Sequence, residues 1–236
     1  MYEEEMAAVY DFVYCGRGKD FRGEVDQIMD VVRARKPHAE SLLDVACGTG
    51  EHLRYLRENV AHAEGLELSE PMLRVAREKL PAVPLHHADM RTFELARTFD
   101  VVTCLFSSVG YMSTVDELTA AIGRMSAHLA PDGVLVVDPW WFPEKFLDGY
   151  IASDVVRDES RAVARVARST REGGATRVDA QYLLADDSGV RHFTDTQLIT
   201  LFEHSDYLGA LRAAGCDALH LAGRFSPRGL FVGTPH

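Results

Sequence analysis

The chain is poor in positive charge. Its 25 lysines and arginines stand against 36 aspartates and glutamates, a formal net charge of -11 over 236 residues. So acidic a protein does not neutralise a phosphate backbone, which excludes nucleic acid as a partner and leaves small anions only where arginines cluster. Long apolar runs are also missing, so no stretch reads as a membrane crossing, and the opening MYEEEM is acidic where a secretory leader would be basic. These absences predict a cytoplasmic protein. Cysteine is scarce too: Cys15, Cys47, Cys104 and Cys216 lie far apart with no C-x-x-C pair, which argues for buried free thiols rather than disulfides or a zinc knuckle.

Two further absences surround one stretch, SLLDVACGTGEHLRYL, residues 41–56. Leu42, Leu43 and Val45 suit a buried strand, and Gly48 and Gly50 remove the Cβ atoms that would keep a ligand off the backbone. A helix follows, whose free N–H groups would face a negative group such as a carboxylate. No Lys-Ser or Lys-Thr comes after the glycines, so this is not a P-loop. Leu53 stands where a dinucleotide fingerprint has its third glycine, which weakens an NAD site.

The rest of the chain alternates. Val25, Ile28, Met29 and Val32 recur at helical spacing after a cap at Asp20, and strands are expected at Ala63–Glu67, Pro84–His87, Phe99–Leu105 and Val134–Asp138. Ser69 caps the helix holding Met72, Leu73 and Val75, and Thr114 with Glu117 reads as a capping box. Pro131, Asp132 and Gly133 read as the turn before the fifth strand. From about Ile151 to Phe202 the period drops to two, broken by the turns Glu172–Gly174 and Asp186–Gly189. A helix ending at Gly215 and two last strands, Ala218–Leu221 and Leu230–Gly233, complete the chain. The expected fold is α/β: a Rossmann-like, doubly wound, mostly parallel seven-stranded sheet with an antiparallel β insertion after the fifth strand. Residues 1–150 and 203–236 would form the core and 151–202 the insertion, serving substrate binding or dimerisation.

Ligands on such sheets bind beyond the carboxyl ends of the strands. The first strand ends at the glycine turn. The second ends at Glu67, where a carboxylate can accept from both hydroxyls of a ribose, and the third at Asp89 and Met90, where an acid and a thioether suit an adenine. His86 and His87 are adjacent on a strand and so point to opposite faces, which argues against joint metal ligation. On residues alone, a methyltransferase with an amine or a hydroxyl acceptor, an NAD-dependent oxidoreductase and a non-catalytic nucleotide-binding module all stay open.

The order of these motifs resembles the class I S-adenosylmethionine-dependent methyltransferases, whose first motif is an acid, three variable residues and Gly-x-Gly. FSSVGYM, PWWFPEKF, STREGGATR, HFTDTQLITLF and SPRGLFVG are similar to the nucleotide-linked amino-sugar N-methyltransferases that dimethylate TDP-linked desosamine and mycaminose precursors. The resemblance covers Tyr2 to Pro235. It implies S-adenosyl-L-methionine as cofactor, a TDP-linked deoxyamino sugar as substrate and a homodimer, with no metal. It also implies a cofactor site of Tyr10, Phe21, Asp44, Ala46, Gly48, Gly50, Glu67, Leu68, Asp89, Met90 and Phe106. Tyr2 and Tyr111 would attend the reaction, and Trp140, Trp141, Arg171, Arg177 and Arg228 would hold the sugar and its diphosphate. Tyr111 follows the desosamine branch, where the mycaminose branch has histidine, and Asp138 stands in place of an expected glutamate.

The implied chemistry needs little from the protein. A sulfonium methyl is already activated, so aligning a neutral amine behind it can supply roughly 7 to 11 kcal/mol without an obligatory base. An acidic chain must still meet a diphosphate with local cations. The insertion holds arginines but no lysine, which suits bidentate phosphate recognition.

Overall fold

The computed structural model describes residues 4–223 and 226–236. Two helices, α1 (Glu4–Gly16) and α2 (Phe21–Arg33), lead into β1 (Ser41–Val45), α3 (Glu51–Leu56), β2 (His62–Glu67), α4 (Glu70–Lys79) and β3 (Leu85–His87). Then come β4 (Phe99–Cys104), α5 (Val115–Ala127) and β5 (Leu129–Val137). Four consecutive strands follow, β6 (Tyr150–Arg157), β7 (Ala162–Glu172), β8 (Ala175–Asp186) and β9 (Gly189–Thr200), before α6 (His204–Ala213), β10 (Cys216–Leu221) and β11 (Leu230–Pro235).

The main sheet has seven strands in the order β10-β11-β5-β4-β1-β2-β3. β11 is antiparallel to both neighbours and the other pairs are parallel. Adjacent residues of the central strands serve opposite faces, as the pleat requires. Leu43, Val45 and Val102 enter one core with α5 and α6, while Leu42, Val101 and Val134 enter another with α2 and α3. Both faces are covered, which is why these strands read as nearly unbroken apolar runs. β6 to β9 form a separate antiparallel meander, turning where Glu172 pairs with Ala175 and Asp186 with Gly189, at the expected hairpins.

Several local readings change. The segment Pro131–Gly133 does not precede β5 but bulges within it, because the register jumps from Phe99–Leu129 to Val101–Val134. The capping box at α5 is half made: Thr114 accepts from Glu117 N, but the Glu117 carboxylate takes Ser113 N and Arg91 instead of the Thr114 amide. Cys15 is exposed, unlike the three buried thiols. His86 and His87 turn to separate partners, Glu64 and the Leu68 carbonyl.

Helix α1 goes beyond the sequence reading, although acids in its first turn and Met6, Val9, Tyr10 and Val13 at helical spacing carry the signal. Its apolar face packs on Val163, Ala167, Ala180 and Tyr182 from the inner face of the meander. Asp11 ties the same helix to Thr49 in the glycine turn and to Lys79 at the end of α4. No helix among the described residues is long and apolar enough to cross a membrane.

Candidate active site

A cavity of about 370 Å³ lies beyond the carboxyl ends of β1 to β4. Its floor is the glycine turn. Ala46 and Gly48 adopt left-handed φ values of 58° and 57°, and the space where a Gly48 Cβ would sit is open. A left-handed alanine is strained by about 1 kcal/mol or more, the kind of cost that clusters at ligand sites. Gly50 serves differently from the expectation. It does not line the cavity, and its φ of 81° with Leu80 Cδ1 2.9 Å from its missing Cβ shows a glycine required by packing between α3 and α4. The helix-terminus argument also fails, since α3 runs only from Glu51 to Leu56 and Glu51 brings its own carboxylate, paired with Lys79.

Glu67 organises the turn. Its carboxylate accepts from Gly48 N at 2.9 Å, Leu68 N at 2.9 Å and Ser69 N at 2.7 Å. A carboxylate offers about four acceptor directions, so the three amides leave room for a hydroxyl. Burial raises its pKa and the amides work against that rise. Asp44 lies beneath, 2 % exposed, accepting from the Thr103 hydroxyl at 2.7 Å. Burial pushes its pKa up to about 7 and the nearby Glu67 adds to the effect. Two buried acids beside one cavity make a place where a cation is welcome.

Asp89 and Met90 line the far end. The Asp89 carboxylate is held by Arg91, with Nη2 at 2.6 Å, which lowers its pKa; Arg91 also reaches Glu117 at 2.7 Å. Leu68, Tyr10, Phe21 and Phe106 supply apolar walls. Phe106 and Ser107 form a left-handed turn leading to a 3₁₀ turn, Ser108–Tyr111, that places Tyr111 at the opposite end of the cavity from Asp89. The strand order explains this, since β4 and β3 flank β1 and β2 from opposite sides.

Residues from β9 close the Tyr111 end. The Tyr111 hydroxyl donates to Gln197 Oε1 at 3.0 Å, and Gln197 Nε2 donates to Asp195 at 2.6 Å. Sequence reasoning missed Asp195, Gln197, Arg91 and His52 as wall residues. The alternation of HFTDTQLITLF held part of the signal, because it puts Phe193, Asp195, Gln197 and Ile199 on one face. His52 is buried against Glu24 at 2.8 Å, and burial lowers its pKa.

The expected substrate residues do not line the cavity. Arg171 donates to the Pro143 carbonyl, and Arg177 pairs with Asp179 at 2.9 Å, so neither guanidinium waits for a phosphate there. Trp140 donates from its indole to Thr176 at 3.1 Å. Arg228 reaches the Pro139 carbonyl at 2.8 Å and buried Asp138 at 3.4 Å, lying near the rings of Trp140 and Trp141. This cluster adjoins the wall through Ser107, whose hydroxyl donates to the same Pro139 carbonyl. Tyr2 lies outside the described residues.

Shape and charge fit an S-adenosylmethionine molecule. The open Gly48 turn would take its amino-acid end, the Glu67 carboxylate its ribose and the Asp89–Met90 end its adenine.

Comparison with known proteins agrees. A family described as a methyltransferase domain matches residues 42–133. The dTDP-3-amino-3,4,6-trideoxy-alpha-D-glucopyranose N,N-dimethyltransferase of Streptomyces venezuelae is 53% identical over 100% of both chains. A dTDP-3-amino-3,6-dideoxy-alpha-D-glucopyranose N,N-dimethyltransferase of Streptomyces fradiae is 48% identical over 99% of this chain and 92% of its own. Among solved structures, SAM-bound CalS10, an amino pentose methyltransferase from Micromonospora echinaspora, superimposes with a TM-score of 0.89 at 50% identity, covering 100% of this chain and 98% of the other. Agreement that runs through the strand ends and the inserted meander alike removes the dinucleotide-dependent alternative: the chain belongs to the dTDP-amino-sugar N,N-dimethyltransferases, and is an S-adenosylmethionine-dependent N-methyltransferase with a Rossmann-like fold.

Proposed function

We propose that the chain transfers methyl groups to the 3-amino group of a dTDP-linked deoxyamino sugar, twice in succession, in the assembly of an antibiotic sugar. The observation that carries this reading is a single cavity running from Asp89 past Gly48 to Tyr111 and Gln197, so that the acceptor end adjoins the cofactor end. Bound S-adenosylmethionine supplies an electrophilic methyl group. The chain's residues align and enclose. Tyr10, Phe21, Phe106 and Met112 keep water from the centre of the cavity, and Tyr111, braced by Gln197, orients the amine. Alignment of this kind can lower a barrier by roughly 7 to 11 kcal/mol.

Incubating the enzyme with S-adenosylmethionine and a set of dTDP-3-amino sugars, followed by mass spectrometry, tests the reading. Products bearing one and then two methyl groups on nitrogen are expected. Methylation confined to sugars lacking an amine would overturn it.

Residues 151–202 serve, in the same proposal, as the acceptor-side wall and as a dimer platform. Ile151, Val155, Val166, Leu183 and Leu198 are all at least half exposed on the meander. They lie on the face opposite α1, beside the cross-strand neighbours Arg168 and Asp179. Both signs of charge around an apolar centre suit a twofold copy of the same patch. A Val166→Glu variant that stayed dimeric in light scattering would remove this face from the interface. A nucleotide-sugar substrate is consistent with a cytoplasmic location.

A further inference from the structure

Carboxylates line the cavity at both ends, and their origins divide them. Asp44, Glu67 and Asp89 come from the ends of β1, β2 and β3, and Glu51 from the start of α3. Asp195 is different in position. Among the described residues it is the cavity's one acid from the meander. Gln197 connects it to Tyr111, so it stands at the acceptor end, where β9 meets the 3₁₀ turn.

Asp195 is half-buried on the inner face of β9, between Phe193 and Gln197. Burial is the main cause that raises the pKa of Tyr14 and Tyr182; Asp195 adds a smaller contribution to each, against the opposing pull of Arg165. An amino sugar reaches the enzyme largely as an ammonium ion, and a partly desolvated acid discriminates that ion from a hydroxyl far better than shape does, because the two groups are similar in size.

We propose that Asp195 is the carboxylate that receives the acceptor's ammonium group, and so selects an amine over a hydroxyl at the position to be methylated. This rests on the amino-sugar reading above and adds to it the residue responsible for the choice. Gln197 then has a positioning role, since one amide holds the acid with its nitrogen and the Tyr111 hydroxyl with its oxygen.

The test measures binding and not turnover. With S-adenosylhomocysteine present, the affinity of a dTDP-3-amino-3,6-dideoxyhexose is compared by calorimetry with that of its 3-hydroxy counterpart, for wild type and for Asp195→Asn. Asparagine is isosteric and still accepts the Gln197 hydrogen bond. Wild type should prefer the amine by about 10- to 100-fold, the span of a charge-assisted hydrogen bond, and the variant should lose most of that preference. Affinity for S-adenosylhomocysteine should not change, which also reports an intact fold. If wild type prefers the amine and the variant keeps the preference, the assignment to Asp195 fails while the amino-sugar reading stands. Equal binding of both sugars by wild type would overturn the selection by Asp195, while the amino-sugar reading is decided separately by the methylated products. A variant that loses S-adenosylhomocysteine would show that Asp195 serves the cofactor, and would also overturn the proposal.

Discussion

The Glu67 carboxylate accepts the backbone N–H of Gly48 across 2.9 Å, joining the ends of β1 and β2 through a side chain that also lines the cavity. One residue therefore shapes the turn and meets the ligand. Glu67→Ala should weaken S-adenosylhomocysteine by about 1.5 to 3 kcal/mol and, because three amides lose their acceptor, lower the stability of the free enzyme by about 1 to 3 kcal/mol. From sequence, only the first loss is expected. Calorimetry and urea unfolding separate them, and unchanged affinity would remove Glu67 from the ribose site.

Tyr111 meets Gln197 with its hydroxyl and shapes the cavity with its ring. Tyr111→Phe keeps the ring, so methyl transfer should persist, slowed by less than about 10⁴-fold in single turnover. A larger fall at unchanged binding would make the hydroxyl essential and alignment insufficient.

Asp44 gives the free enzyme a pH dependence. Its folded pKa is about 7 against an ordinary 3.8, because burial disfavours the charge. Between these values the folded state holds a proton that the unfolded state has lost, so stability falls as pH rises from about 4 to about 7 and is level above. Asp44→Asn should flatten this slope, and above pH 7 it should be more stable than wild type by on the order of 1 kcal/mol or more. Parallel urea titrations at pH 5 and pH 8 measure it; equal slopes for both proteins would refute the assignment.

Arg228 is first a partner of Asp138, which is 1 % exposed and whose pKa burial raises to about 6 against the pull of that arginine. Arg228→Ala strands the acid, and breaking such a buried pair costs about 3 to 5 kcal/mol. Adding Asp138→Asn should restore part of the loss. Thermal unfolding of single and double variants decides it, and a fully stable single variant would show that the pair carries no weight.

The fold was legible because its signals are local. Alternating strands and helices, the Asp20 cap, and the hairpins at Glu172–Ala175 and Asp186–Gly189 all rest on residues close in sequence. So were the strand-end acids, since a parallel sheet brings the ends of β1, β2 and β3 to one edge whatever the loops do. The acceptor side was not. Gln197 meets Tyr111 across a separation of 86 residues and holds Asp195 beside it, a juxtaposition set by how the meander docks. The arginines misled for a related reason: a guanidinium in sequence says nothing of the carboxylate or carbonyl that engages it, as Arg177 with Asp179 and Arg228 with Pro139 show.

Helix α1 precedes every other described element of the chain, yet its partners are Thr49, Lys79 and the meander residues Val163, Ala167, Ala180 and Tyr182. Emerging from a ribosome, it has nothing to rest on until most of the polypeptide has followed. The cavity wall that carries Tyr10 is thus among the last surfaces of this fold to form, although it precedes the rest of the fold in the chain. The cofactor site and the meander reach completion together, and deleting helix α1 would unbuild both.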